Sequence, residues 1–245
     1  MMPPLAAQPR SSQVRLPDRS GSPLDRRQWR AWTDALASPK FSERQAAERR
    51  LLDAGPAVLP VLENLDHPDD ALAALDRADQ GADPTPQSLK LRGSIFMQQK
   101  KWPEADAALS KAVAALPNDA ESHAWLGHAE MELRQYAPAE QELRRALELD
   151  SSNVGPLRDL VGVLYLSGNY NATINAIDLL QQHDTLNALD WFFWAISCDK
   201  LGRKQEAADA YQKFLDLDHG QHADQEFQAR GRLVVLLPEL GKKKK

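Results

Sequence analysis

Residues 93–112 read GSIFMQQKKWPEADAALSKA, and residues 127–146 read GHAEMELRQYAPAEQELRRA. Laying Gly93 on Gly127 sets a spacing of 34, and at that spacing Trp102 falls on Tyr136, Ala105 on Ala139 and Ala112 on Ala146. Further steps carry Trp102 to Tyr170 and Ala139, through Thr173, to Ala207. Small residues at fixed intervals let two helix axes approach closely, and large ones between them fill the space that remains. A fixed period of this length marks stacked units that cannot bury their faces singly, and about three or more are needed for a stable array.

Continued without insertion, the period divides 86–221 into four blocks, 86–119, 120–153, 154–187 and 188–221. The first carries Gly93, Phe96, Ala105, Ala112 and Pro117, and the second Leu126, Gly127, Ala139, Leu143 and Ala146. The third is the most divergent, with Val161, Thr173 and Leu180 for small residues, but Gly168-Asn169-Tyr170 marks its inter-helix turn. The fourth has Trp191, Ala195, Gly202, Ala207, Tyr211 and Phe214. The pattern resembles the tetratricopeptide repeat family, whose unit is an antiparallel helix pair. The second block departs from it at Glu130, where an aromatic is usual, and at Ser151, where proline is usual. The resemblance implies an all-α, right-handed helical-repeat solenoid.

The flanks carry other signals. Residues 1–24 hold five Pro and four Ser with few large apolar groups, a composition expected to stay disordered. Trp29, Trp32 and Leu36 then share a helix face; a second helix is expected over 42–54 and a third over 58–65, bounded by Gly55-Pro56 and His67-Pro68. Within this span Phe41, Arg44, Ala46, Ala47, Leu51, Leu52 and the run Ala57-Val58-Leu59-Pro60 resemble one HEAT-like helical repeat. Residues 25–78 are therefore read as a HEAT-like helical segment that caps the array, and 79–85 as a linker. At the other end Phe227, Ala229, Leu233, Leu236 and Leu237 suit a closing helix over 222–240, followed by a lysine tail at 241–245.

Composition narrows the functional classes. The net charge of −5, with 19 Asp and Glu against 13 Lys and Arg in 86–221, gives general nucleic-acid binding no electrostatic support. No apolar run approaches the roughly 20 residues of a membrane-spanning helix. The N-terminus lacks the apolar core of a secretory signal, and the single cysteine, Cys198, allows neither an internal disulfide nor a cysteine-based metal site. A cytoplasmic location is expected. Cys198 falls at a helix-interface position and reads as a packed small hydrophobe. His219 and His222, near Asp216, Asp218 and Asp224, read as a solvated loop rather than a metal site. The sequon Asn171-Ala172-Thr173 falls at a helix start, where asparagine caps. No catalytic, phosphate-binding or metal motif occurs in the sequence, and no cofactor is expected.

In the family the first helix of each pair lines a concave groove. That resemblance places Lys90 and Met97, His128 and Met131, Arg158, Tyr165 and Leu166, and Phe192, Ile196 and Lys200 along it as partner-binding residues. Of the chaperone-binding clamp that grips a carboxylate-ended peptide, only Lys90 matches; Ser94, Trp125, Gly155 and Asp159 do not. The expected function is a non-catalytic scaffold or adaptor that binds a protein or peptide segment. The alternative is an assembly subunit that self-associates through Trp29 and Trp32 or through the closing helix. Phe192 and Ile196 carry a second reading as well, as packing under that helix. Oligomeric state is left open.

Overall fold

Thr85, Asp119, Asn153 and Asn187 stand 34 residues apart, and each opens a helix. Their side chains accept backbone N–H bonds from Ser88, Ser122, Gly155 and Asp190 at 3.1, 3.1, 3.1 and 3.0 Å. Short polar side chains there satisfy donors that the first turn leaves open. Asn187 goes further, because Asp190 returns the bond to its backbone N–H at 2.9 Å and closes a capping box.

The computed structural model describes residues 68–79 and 83–242, together with Ala46 and Arg50. Ten helices lie between residues 68 and 242, and there is no strand among the described residues. They are α1 Pro68–Ala78, α2 Pro86–Gln98, α3 Trp102–Ala115, α4 Ala120–Glu132, α5 Tyr136–Leu149, α6 Val154–Leu166, α7 Tyr170–His183, α8 Ala188–Lys200, α9 Lys204–Asp218 and α10 Ala223–Lys242. Helices α2 to α9 form four hairpins, and consecutive hairpins pack on one another.

The turn inside every hairpin is the same device. Lys100, Arg134, Gly168 and Gly202 adopt left-handed backbone with φ of 55, 61, 74 and 75°. The following amides, of Lys101, Gln135, Asn169 and Arg203, bond back to the carbonyls of Phe96, Glu130, Leu164 and Cys198 at 2.8–2.9 Å. These are Schellman closures, which end the first helix and aim the chain into the second. Asn169 also caps α7, accepting from Ala172 N–H at 3.4 Å. The cap is thus Asn169 rather than the expected Asn171.

Close packing follows the small-residue rows. A Cβ on Gly93 would lie 2.4 Å from Leu109 Cγ, and one on Gly127 would lie 2.7 Å from Leu143 Cγ, so both glycines are required by their own second helix. Ala105, Ala139, Thr173 and Ala207 are fully buried one period apart. A further buried row runs Ala112, Ala146, Leu180, Phe214, growing along the chain. The core is therefore small-residue in the first hairpin and aromatic in the last, where Phe192 packs 5.0 Å from Phe214 and 6.4 Å from Tyr211, ring to ring.

Both ends are closed by helices. α1 lies beyond the helices expected upstream, and its tie to α2 is largely polar: Arg92 donates to Asp76 at 2.6 Å and to Asp79 at 2.7 Å, and Ser88 Oγ donates to Asp79 at 2.8 Å. Asp79, read as the start of a linker, is thus a structural partner of the first hairpin. α10 packs against α9 through Ala229, Leu233 and Leu236. Phe227 and Leu237, expected to face inward, instead face solvent at 82% and 56% exposure. The readings made for 1–67 (the disordered start, Trp29 and Trp32, the HEAT-like repeat) and for the lysines at 243–245 lie outside the described residues, apart from the helical Ala46 and Arg50.

Candidate binding groove

The first helices α2, α4, α6 and α8 neighbour one another in series. An ion pair spans each step between them. Lys90 Nζ on α2 reaches Asp119 at 2.7 Å and Glu121 at 2.9 Å on the α4 side, and lies 5.4 Å over the Trp125 ring. Burial pushes the Asp119 carboxyl up, but hydrogen bonds from Lys90 and Ser122 outweigh it and hold the group below the usual carboxylate range. His128 Nδ1 on α4 meets Asp159 of α6 at 2.8 Å. That hydrogen bond, opposed by burial and aided by the charges of Asp159 and Glu132, raises the His128 pKa. The Trp102 ring stands edge-on to the same imidazole at 5.8 Å.

Arg158 on α6 bridges to the fourth hairpin. Its Nε donates to Asp190 at 3.2 Å, and its Nη2 donates to Asp184 and to the Thr185 carbonyl, each at 3.2 Å. Asp190 is the capping-box carboxylate of α8, so one buried group serves both the helix start and the inter-hairpin brace. The last step repeats the pattern with the closing helix: Arg232 of α10 clasps Asp199 of α8 through Nε at 2.6 Å and Nη2 at 2.8 Å. Bidentate guanidinium–carboxylate geometry of this kind is among the stronger charge pairs. The sequence places Asp199 along the groove but does not reveal this pairing, because nothing local to Asp199 points to a residue 33 positions away.

Three of the expected groove residues, Lys90, His128 and Arg158, therefore hold the array's own helices together. The apolar members behave differently. Met97 packs at the edge of the first core cluster, and Met131 at the edge of the second, its Sδ 3.6 Å from where a Gly162 Cβ would stand. Tyr165 stacks on Phe193 with centroids 4.6 Å apart, half-buried, and Leu166 beside it is 51% exposed. Lys200 is exposed at the far end. Phe192 and Ile196 are buried, at 4% and 6% exposure, in the cluster that contains Ala229, Leu233 and Leu236 of α10. The second reading given to them from sequence, packing under the closing helix, is the one their burial fits.

The remaining sequence candidates fall into place as structure. Cys198 is buried, and burial pushes its thiol up, away from a reactive thiolate. His222 is bonded through Nδ1 to Asp218, while His219 is the left-handed residue that ends α9. No group of three or more metal-ligating side chains is assembled among the described residues. Glu130 is the unforeseen feature. It is buried, its Oε2 has no hydrogen-bond partner, and burial together with the charges of Glu142 and Asp106 pushes it up to about 8.

Comparisons with known proteins agree with this geometry. Residues 120–153 match the sequence signature of the tetratricopeptide repeat. Comparison with curated proteins finds none that matches in sequence. Among solved structures, the chain is similar to MamA of AMB-1, at 17% identity and a TM-score of 0.61, over 72% of this chain and 94% of that one. It is similar to PilF of Pseudomonas aeruginosa at 20% identity and a TM-score of 0.61, over 84% and 97% of the two chains. It also resembles YrrB, described as a TPR protein with an unusual peptide-binding site, at 20% identity and a TM-score of 0.59, over 70% and 90%. At such identities the likeness is one of fold. With its second hairpin bearing the repeat's sequence signature and all four sharing one kind of cap and one kind of turn, this chain has the fold of a tetratricopeptide-repeat solenoid.

Proposed function

We propose that the protein is a non-catalytic scaffold that binds a partner segment along the inner face of its first helices. The observation that carries this reading is the division of labour on that face. Lys90, His128 and Arg158 are spent on the array itself, while Met97, Met131, Tyr165 and Leu166 offer a row of apolar contact with Lys200 and Glu132 at its edge. Methionine adapts to irregular partners, and half-exposed aromatic and aliphatic groups rimmed by charge are what a short protein segment anchors on. The partner this chemistry favours presents apolar side chains, and a terminal carboxylate is a poor match because Lys90 is already held by two acids. No helix among the described residues is long and apolar enough to cross a membrane, and the one cysteine is a buried thiol, which suits a reducing compartment such as the cytoplasm.

The test uses peptides selected from a displayed random library on the full-length chain. Leu166→Glu and Met131→Glu should each weaken the selected peptides by about tenfold or more, as loss of an anchoring contact does. Circular dichroism spectra should stay unchanged. Retention of full affinity by both variants would remove the groove. The alternative, an assembly subunit acting through self-association, rests on a different surface, the outer face of α10.

A further inference from the structure

His123 sits where three pieces of the chain meet: it belongs to α4, and its ring reaches both α5 and the 116–119 connection that joins the first hairpin to the second. The side chain is buried and both ring nitrogens are engaged. Nδ1 lies 2.6 Å from Glu142 Oε2, and Nε2 lies 3.1 Å from the Pro117 carbonyl oxygen. A carbonyl and an ionised carboxylate both accept and neither donates, whereas a neutral imidazole carries a single N–H. Beside an ionised Glu142, a neutral ring would therefore set one lone pair against an oxygen. Both bonds form only with one proton more, held either as imidazolium against carboxylate or as a protonated Glu142 donating to Nδ1 while Nε2–H donates to Pro117. The count is the same wherever in the pair the proton resides.

The other charged groups at this joint reinforce the demand for protons. Glu130, further along α4, is buried with Oε2 unpartnered, and the charges that act on it are those of Glu142 on α5 and Asp106 on α3. Burial and these two acids push it up to about 8. Arg145 of α5 is the fixed element: its Nη2 donates to the Pro117 carbonyl at 3.5 Å and to Asn118 Oδ1 at 3.1 Å, and its Nη1 to Glu148 at 3.1 Å. We propose that the joint between the first two hairpins is a proton-operated latch, in which the shared proton of His123 and Glu142 clamps the 116–119 connection to α5 and its loss leaves Arg145 alone to hold it. The closed form binds a proton that the open form releases, so rising pH favours opening. Asp119 ends the same connection, caps α4 and grips Lys90 at 2.7 Å, so release reaches the first ion pair on the inner face. The latch operates whether or not that face binds a partner.

Two measurements on the full-length chain test the latch. Hydrogen exchange, corrected for the intrinsic pH dependence of amide exchange, should show residues 116–132 losing protection by about tenfold or more between about pH 6 and 8.5, against less than about threefold in 188–218. Nitrogen-detected NMR of the imidazoles, with His123 identified by the signals lost in His123→Gln, should show its ring changing state over the same range. Glu142→Gln separates a latch from a merely structural contact. Its carboxamide donates to Nδ1 while Nε2–H donates to Pro117, so both bonds form without the extra proton. This variant should keep the protection seen at about pH 6 and cut the loss at about pH 8.5 by roughly half or more, and adding Glu130→Gln should remove most of the remainder. A structural contact alone would instead lower protection equally at both pH values. Ring signals of His123 that stay constant across the range, equal losses in 116–132 and 188–218, or an undiminished pH response in Glu142→Gln would each overturn the latch.

Discussion

Gly93 and Gly127 show how much of this fold rests on a missing methyl group. Each faces a leucine of its own second helix at a distance no Cβ tolerates, and Leu109 and Leu143 are fully buried with nowhere to retreat. Gly93→Ala and Gly127→Ala should therefore destabilise by about 1–3 kcal/mol through overpacking, despite alanine's better helix propensity. Chemical denaturation checks this, and a gain in stability would show that Leu109 and Leu143 can yield to an added methyl group. Glu130 is the opposite case, a group retained at a cost. Its pKa of about 8 lies above the 4.5 of a free glutamate, so the folded state holds a proton that the unfolded state releases. Stability from this source is fully present below about pH 4.5 and is lost as pH rises through about 8. His128, also raised, adds to the same slope above pH 6.5. The melting temperature should fall between about pH 5 and 8, and Glu130→Gln should flatten that fall. Glu130→Met should raise stability at pH 8 by roughly 1–3 kcal/mol, by removing a buried group with an unpaired oxygen. An unaltered pH profile in Glu130→Gln would mean that water reaches the carboxyl.

At the scale of the helix, the four hairpin turns adopt one conformation with unequal ease. Gly168 and Gly202 accept positive φ freely, whereas Lys100 and Arg134 carry a Cβ into it. Arg134→Gly should stabilise by about 1 kcal/mol, a melting shift of about 2–4 °C, because relief of the left-handed penalty outweighs the added chain entropy. Asn187→Ala should lose about 1 kcal/mol or more, since the cap anchors Asp190, which in turn holds Arg158. Thermal melts decide both. These features also show what the sequence could and could not convey. Turns, caps and small-residue rows are local and periodic, so the helical-repeat fold was legible from Gly93, Gly127 and their descendants. The state of the groove was not. Lys90, His128 and Arg158 look available in a linear reading because the acids that hold them are long-range: Asp159 lies 31 residues from His128 and Asp190 lies 32 from Arg158. Phe227 and Leu237 misled for a different reason. Hydrophobicity marks a face as one that wants burial, and says nothing of whether a neighbour is there to bury it.

For the molecule as a whole, the growth of side chains along the buried row Ala112, Ala146, Leu180, Phe214 sets up a gradient of stability. A repeat array is bound by nearest-neighbour contacts, so its ends can open without its middle. The first hairpin is held by a core of Ala105, Leu109, Leu126 and Ala129 and by polar ties to α1. The last is held by Phe192, Tyr211 and Phe214, by Leu233 and Leu236 from α10, and by the Arg232–Asp199 clasp. Apolar burial stabilises in proportion to area, so the first hairpin should be the first to open. Amides in 86–115 should exchange hydrogen faster than those in 188–218. Gly93→Ala should erode protection in 86–115 while leaving 188–218 nearly untouched. Phe214→Ala should cost about 3–5 kcal/mol and strip protection from α8, α9 and α10 together. Hydrogen exchange read by mass spectrometry separates these outcomes. An equal loss across all four hairpins in Gly93→Ala would mean that the array opens as one unit, and that the gradient in side-chain size carries no gradient in free energy.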